Sequence, residues 1–309
     1  MVAVIISFIG NIILIVYIAT NHPASPSQES SAKQFPYLSK RIFTDDQNDT
    51  IINFTQLRSK LQQLSSTIPE RHGIYFEYLP SGISIGINEK EPFVLASLLK
   101  LPVAIALRSQ YGLGTIKPNQ IVTLKRHQLN DQFGTLWKQG EGAQVSVEEL
   151  ERRMLIDSDN TAGNALFEIL PPLSIDSIFD SLDIPKVFDR NTPVVTAKNY
   201  SSILRSLYLS SILPKDQSNE ILHLLTETPF NKKLAAGVPN TVLIAHKIGV
   251  YISADQKKHM YTDCGVVYPP KRPYILCVMT ETDENRADTI ISSISSAVYT
   301  YVINANHLK

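Results

Sequence analysis

The chain has few of the residues that mark metal, disulfide-rich or nucleic-acid-binding proteins. Its 309 residues include only two cysteines and seven histidines, and the histidines are scattered without the spacing of a zinc site. Lys and Arg balance Asp and Glu at 29 each, and no stretch is strongly basic, which argues against nucleic acid. The length fits one large domain or two coupled ones. We therefore expect no metal, no other cofactor, no nucleic-acid partner, and a monomer.

Charge is also absent from the N-terminus, where no Asp, Glu, Lys or Arg occurs before Glu29. Residues 2–20 are almost wholly apolar. As a helix rising about 1.5 Å per residue, this run nearly spans a bilayer core of about 30 Å. A cleaved signal peptide usually has a shorter apolar core and small residues at its cut, which this run lacks. The pattern predicts a membrane anchor over residues 1–20, with a cleaved signal segment as the alternative.

Residues 21–49 are rich in Ser, Pro, Gln and Asp, which is the composition of a solvated linker. A linker that follows an anchor would hold the remaining chain outside the cytoplasm, in the periplasm or at the cell surface. If the N-terminal segment is cleaved, the same domain is secreted. The membrane is therefore expected as a partner through residues 1–20.

Hydrophobic periodicity divides the remainder into strand-rich ends and a helical middle. Apolar residues recur at helical spacing from Ile51 to Leu64 and from Ile290 to Val302. Strand patterns occupy residues 74–78, 83–87, 242–248, 263–268 and 274–279. This order predicts a sheet built from both chain ends, with helices on its faces and an inserted all-helical lobe.

The candidate chemistry lies in three short strings, which are Ser97-Leu98-Leu99-Lys100, Ser158-Asp159-Asn160 and Lys247-Ile248-Gly249. On a helix, Ser97 and Lys100 share one face, one turn apart. A serine hydroxyl becomes a nucleophile when a nearby base takes its proton, and a lysine in a water-poor cleft can be that base. Each string alone has an ordinary explanation, such as a solvated lysine or a helix cap. The three in this order favour serine catalysis.

The three strings resemble those of the penicillin-recognising serine enzymes, most closely the class A β-lactamase branch. The resemblance covers residues 50–305. It implies an α/β fold of the α+β, β-lactamase/transpeptidase-like type, with a five-stranded antiparallel sheet from both chain ends and an inserted all-helical lobe. The α/β lobe would comprise residues 50–95 and 240–305, and the helical lobe residues 96–239, with the active site between them.

The resemblance also implies catalytic roles for Ser97, Lys100 and Ser158. Lys100, directly or through water, would take the proton of Ser97, which then attacks an amide carbonyl. Ser158 would relay a proton to the leaving nitrogen. We also expect a helix to begin near Ser97, where its dipole favours developing negative charge and where Pro102 is tolerated in the first turn.

Four further residues would bind the substrate by the same resemblance. The backbone N–H groups of Val250 and Ser97 would form the oxyanion hole. Lys247 would tune the relay serine, and Asn160 would hold the amide side chain of the substrate. Gly249 would let the substrate lie close to the backbone.

Two departures from the family pattern bear on turnover. Ile248 stands where the family usually has a threonine that helps to hold the substrate carboxylate, and losing such a hydrogen bond costs about 1.5–3 kcal/mol. The glutamate that activates the deacylating water in class A enzymes has no counterpart, since no glutamate occurs from Ile169 through Asn219. Residues 187–193 resemble a shortened form of that glutamate's loop. In it, Asp189 is either a substitute base or a turn and ion-pair residue.

These features predict a serine acyl-transfer amide hydrolase that forms a Ser97 acyl-enzyme with a β-lactam or an acyl-D-Ala-D-Ala-like substrate and deacylates slowly. The first alternative is a D-alanyl-D-alanine carboxypeptidase or transpeptidase acting on peptidoglycan stem peptides. The second is a catalytically weak cell-wall-binding module. The intact strings argue against that module, and Ile248 argues for it.

The two cysteines are expected to face each other. A four-residue turn at 269–272 pairs Tyr268 with Pro273, and the same register pairs Cys264 with Cys277. An oxidising location would permit a disulfide. Because the pair closes only a short hairpin, we expect two buried free thiols.

Overall fold

The computed structural model describes Tyr37 and residues 52–189 and 192–305. Apart from Tyr37, the predicted anchor over residues 1–20 and the linker over residues 21–49 lie outside the described residues. Among the helices that the structure does describe, none has the length and apolar character to cross a membrane. The anchor, the linker and the lobe boundaries therefore stay predictions.

Short strands at both ends of the described chain surround a helical middle. In chain order the strands are β1 (Arg71–Tyr78), β2 (Ile83–Ile87), β3 (Pro92–Val94), β4 (Ile121–Thr123), β5 (Gln144–Ser146), β6 (Val187–Asp189), β7 (Thr192–Thr196), β8 (Leu243–Ile252), β9 (His259–Tyr268) and β10 (Tyr274–Glu281). The α-helices are α1 (Thr55–Ser66), α2 (Lys100–Leu113), α3 (Val147–Ile156), α4 (Asn160–Ile169), α5 (Ser174–Ser181), α6 (Ala197–Tyr208), α7 (Lys215–Thr226) and α8 (Glu284–Asn304).

The main sheet has five antiparallel strands in the order β2-β1-β10-β9-β8. The N-terminal hairpin β1–β2 joins the C-terminal strands through the pairing of β1 with β10. The prediction of one sheet built from both chain ends is thereby confirmed. Its last strand, β8, lies at an edge and carries Lys247 and Gly249.

Two terminal helices cover one face of this sheet. Leu57 and Leu61 of α1 and Ile290 and Ile294 of α8 are buried in one apolar cluster that includes Phe76 of β1. These are the positions that recur at helical spacing in the sequence, so the apolar stripe of each helix faces the sheet. The helices predicted around Ile51–Leu64 and Ile290–Val302 are thus confirmed, with α8 extending further at both ends.

The helical middle contacts the opposite face through α6. The sequence places a helix near Lys198 to Leu213, but α6 ends at Tyr208. Ser210 then adopts a left-handed conformation with φ of +51°, which a helix cannot continue through. Pro214 caps the start of α7, a helix that the sequence analysis does not anticipate.

The described residues of the segment 187–193, which is expected to be a shortened loop, lie in two strands of a small sheet. The strands β6 and β7 pair with each other, and β7 also pairs with β3, in the order β3-β7-β6. Val194 and Val195 are buried in β7, where β-branched residues pack well. The pairing fixes this segment directly beside the chain that leads into Ser97.

Cys264 and Cys277 are direct partners in the β9–β10 ladder, which confirms the predicted register. Both residues are fully buried, and they form a disulfide. The expectation of two free thiols is therefore wrong. Directly opposed antiparallel positions hold two side chains near each other on one face, so the length of the hairpin does not prevent the bond.

We predict that the unfolded, unreduced chain contains no free thiol, because its two cysteines are paired with each other. A thiol reagent added in denaturant should find no reactive group before reduction and two after it. Two reactive thiols before reduction would contradict the disulfide.

Candidate active site

Ser97 lies in a tight 3-10 turn, Ala96–Leu99, that precedes α2. The α-helix itself begins at Lys100, three residues later than the sequence suggests, and Pro102 falls in its first turn as expected. Ala96 has a φ of +44°, a conformation that a non-glycine residue adopts at a cost when the surrounding fold requires it. The strained residue therefore fixes the direction in which Ser97 enters the cleft.

The amine of Lys100 joins the first two strings of the sequence. Its Nζ lies 3.1 Å from Ser97 Oγ, 3.1 Å from Ser158 Oγ and 2.6 Å from Asn160 Oδ1. It also donates to the carbonyl oxygen of Ser158. The predicted pairing of a nucleophile with a lysine one turn away is thus present, and the same lysine organises the Ser158 turn.

Burial sets the charge of Lys100. The side chain is buried, and the loss of water lowers its pKa well below the usual lysine range. The nearby cation of Lys247 lowers this pKa further, whereas Asp159 opposes the shift. A lysine that loses its proton readily can accept the proton of Ser97.

Ser158 lies in the connection between α3 and α4 and is fully buried. Its φ of +54° is again left-handed for a residue with a side chain. Its Oγ lies 3.1 Å from Nζ of Lys100 and 2.8 Å from Nζ of Lys247. A hydroxyl has two acceptor lone pairs and one proton. With both lone pairs facing amines, the proton is available for a third group.

Lys247 is only 1% exposed on β8. Burial lowers its pKa to about 7, although the carboxylate of Asp263 opposes that change. The lysine is therefore charged below neutral pH and loses its charge as the pH rises through about 7. Its contact with Ser158 Oγ at 2.8 Å is the geometry that a tuning role requires, and the role itself stays a prediction.

Gly249 is required by packing inside the protein. A Cβ at this position would lie 2.5 Å from Oγ1 of Thr262 and 3.1 Å from Cγ of Leu98. The absence of a side chain lets β8 approach the turn that carries Ser97. Close approach of a substrate at Gly249 stays a prediction. Val250 follows directly and lines the same cavity as Ser97.

Asn160 begins α4, and both ends of its amide are bound. Its Oδ1 accepts from Lys100, and its Nδ2 donates to Oδ1 of Asn130 at 3.0 Å. The helix cap is instead Asp159, whose Oδ1 accepts from the backbone N–H of Ala162 at 2.9 Å. Asn160 thus faces the cleft rather than capping the helix. The sequence analysis misses Asn130, because no local pattern marks it.

A cavity of 290 Å³ contains the nucleophile. Ser97, Lys100, Asn160 and Val250 line it together with apolar and amide side chains, and no carboxylate lines it among the described residues. Asp189, the candidate replacement base, ends β6. Its side chain lies outside what the structure describes, so that role stays a prediction.

A second cavity of 220 Å³ adjoins the first at Val250. Ile248 lines it with Phe133, Phe230 and Lys232. Where the family usually has a hydroxyl, this chain therefore presents an apolar wall. The sequence does not single out Lys232, an exposed cation at this wall.

The comparisons with known proteins agree with this geometry. Beta-lactamase 1 of Bacillus cereus is 22% identical over 259 residues, which cover 77% of this chain and 81% of that protein. Extended-spectrum beta-lactamase PER-1 of Pseudomonas aeruginosa is 24% identical, with 70% and 77% covered. A PBP-A mutant, solved as an acyl-enzyme complex with penicillin G, shares the fold at a TM-score of 0.74 and 24% identity, covering 81% of this chain and 97% of that one.

The sequence model of the beta-lactamase enzyme family matches residues 56–302. This range is more than half of the chain and contains all three strings. The five-stranded antiparallel sheet with helices on both faces and the contact of Ser97 with Lys100 agree with that match. The chain therefore belongs to the beta-lactamase enzyme family and is a serine hydrolase of the penicillin-recognising type.

Proposed function

We propose that this enzyme forms a covalent acyl-enzyme at Ser97 with β-lactams and releases it slowly. The observation that carries the proposal is the 3.1 Å contact between Ser97 Oγ and the buried amine of Lys100. When this amine is uncharged, its nitrogen has a lone pair. The hydroxyl of Ser97 can then donate its hydrogen bond to that nitrogen. The attacking oxygen would thus lose its proton as it bonds to the carbonyl carbon.

The remaining groups would act on two parts of the substrate, its carbonyl oxygen and its leaving nitrogen. As the carbonyl carbon becomes tetrahedral, backbone N–H groups at Ser97 and Val250 would receive the oxyanion. The C–N bond then breaks, and the proton of Ser158 would pass to the leaving nitrogen. A proton returns to Ser158 from the neighbouring amines, which lie 3.1 and 2.8 Å from its oxygen. The leaving side is therefore the side of Ser158 and Ile248.

Slow deacylation is supported by the walls of the cavity. Hydrolysis of the ester needs a positioned water and a base beside it. The described walls next to Ser97 provide amides and apolar side chains, such as Asn164, Val103 and Met154, but no carboxylate. Lys100 would have to lose its proton again before it could act as this base.

A location outside the cytoplasm is supported by the Cys264–Cys277 disulfide, since such bonds persist in oxidising compartments. We propose the periplasm or the cell surface for the catalytic domain, with residues 1–20 as its anchor. Action on an acyl-D-Ala-D-Ala amide would use the same residues, and adduct formation with an acyl-D-Ala-D-Ala peptide in place of the penicillin below tests it. The hydrogen-bonded site argues against a module that only binds the cell wall.

Incubation with a labelled penicillin should produce a mass adduct on the peptide that contains Ser97. Of the two hydroxyls 3.1 Å from the low-pKa amine of Lys100, Ser97 lines the cavity, whereas Ser158 is fully buried. Ser97→Ala should abolish the adduct, measured by intact mass and peptide mapping. Ser109→Ala in the following helix, α2, is the matched control and should leave the adduct unchanged. An adduct that persists in Ser97→Ala would move the acylation site elsewhere.

Acylation by penicillin should fall as the pH rises above about 7, because Lys247 then loses the charge with which it would tune the relay serine, Ser158. At lower pH the rate should fall again as Lys100 gains a proton. The measurement is the second-order rate of adduct formation from roughly pH 5.5 to 9.

Lys247→Arg should remove the alkaline decline, since a guanidinium stays charged over this range. Lys198→Arg, an exposed lysine on α6, should leave the profile unchanged. A profile that stays flat above pH 7 with the unaltered enzyme would contradict this role of Lys247.

The penicillin adduct should persist for minutes or longer, whereas efficient enzymes turn over at about 1–10³ per second. The physical reason is the lack of a carboxylate in the described walls beside Ser97. Adduct lifetime is read from intact mass after excess penicillin is removed. Asp189→Asn should leave the lifetime nearly unchanged. Rapid multiple turnover by the unaltered enzyme would refute slow deacylation, and trapping by Asp189→Asn would then identify Asp189 as the base.

A further inference from the structure

A third cavity adjoins the one that Ser97 lines and is larger than it. It has a volume of 440 Å³ and shares Leu99 and Phe167 with the cavity that contains the nucleophile. The Ile248 cavity adjoins the nucleophile at Val250 instead. Leu99 follows Ser97 by two residues, so the larger space begins within one turn of the reacting oxygen.

The walls of this space are almost entirely apolar. They consist of Leu95, Leu99, Phe167, Leu170, Pro171, Pro172, Leu173, Ile175, Phe179, Pro185, Pro193 and Val194, with Ser174, Asp176 and Lys186 as the polar members. Asp176 and Lys186 form an ion pair at 3.7 Å. A charged or amide-rich chain would therefore lose water here without gaining partners.

Two large apolar side chains stand exposed at this space. Phe167 is 55% exposed and Leu173 is 72% exposed. Leu173 also holds a φ of +64°, immediately before α5, a conformation that disfavours leucine. The fold therefore retains apolar surface beside the active site, at a position where Asn would suit the backbone better.

Resting on the proposed function, we infer that this 440 Å³ space is an acyl-chain subsite, and that the preferred substrates are amides or β-lactams whose acyl group carries a linear apolar chain. Its volume lies within the range of small-molecule sites, which are mainly apolar with a few polar groups. Since Ser158 and Lys247 define the leaving side, the acyl substituent points away from them, toward Leu99 and Phe167. A polar stem peptide fits these walls poorly.

The test uses penicillins that share one nucleus and differ only in a linear acyl group, from acetyl to decanoyl. The second-order rate of adduct formation should increase roughly threefold per methylene until the chain fills the space, and octanoyl should exceed acetyl at least about thirtyfold. Leu173→Asn should lower that ratio at least about threefold and leave the acetyl rate unchanged. Leu113→Asn is the matched control, because Leu113 is equally exposed at 72% and lines none of these cavities.

The outcomes separate this inference from the function on which it rests. Adducts that form at equal rates for acetyl and octanoyl would overturn the acyl-chain subsite and leave the acyl-enzyme proposal standing. A ratio lowered equally by Leu113→Asn would also overturn it. If no penicillin forms an adduct, the proposed function fails. Calorimetric titration of octanoate then tests the subsite directly. We expect the unaltered enzyme to bind octanoate and Leu173→Asn to weaken that binding. If the unaltered enzyme does not bind octanoate, the inference is overturned.

Discussion

Two buried lysines share one serine hydroxyl, and the chemistry of the site depends on how the fold holds them. Lys100 and Lys247 both contact Ser158 Oγ, so two like charges would lie close together with little water between them. Burial and mutual repulsion lower the pKa of Lys100, and burial lowers that of Lys247. One of the two must give up its proton readily, which is the property that a general base needs.

Asp159 and Asp263, the carboxylates whose charge acts on these lysines, are hydrogen-bonded to other groups. Asp159 accepts hydrogen bonds from the backbone N–H groups of Leu136 and Ala162. Asp263 accepts from Leu234 N–H and pairs with His246. The charge of Asp159 raises the pKa of Lys100, and that of Asp263 raises the pKa of Lys247. Among the described residues, neither carboxylate forms an ion pair with its lysine. The site thus keeps amines that can change charge, in place of a neutralised salt bridge.

Close contact between the sheet and the Ser97 turn gives this arrangement its geometry. Gly249 allows β8 to approach Leu98, and Tyr200 from α6 donates to the carbonyl of the same residue at 3.2 Å. The turn is therefore held from the sheet and from the helical middle together. The same tight packing leaves the cleft beside Ser97 lined by apolar and amide groups.

Local patterns in the sequence were sufficient for much of the fold and for the choice of site residues. The three-residue spacing of Ser97 and Lys100 is a property of one turn. The Cys264–Cys277 register follows from the length of one hairpin turn, and α1 and α8 follow from helical periodicity. Such features depend on residues that are neighbours in the chain, so their pattern can be read from the chain itself.

Tertiary structure alone decided which distant groups meet. It placed Asn130 against Asn160 and packed Gly249 against Leu98 and Thr262. It also paired residues 187–189 with β7, and β7 with β3. It also opened the apolar space between Leu99, Phe167 and Leu173. These contacts join segments far apart in the chain, and their partners are chosen by packing and burial over the whole fold, which no local pattern records. The sequence by itself determined the catalytic residue types and their family, whereas their charges and the shape of the cleft arise only when the fold buries them together.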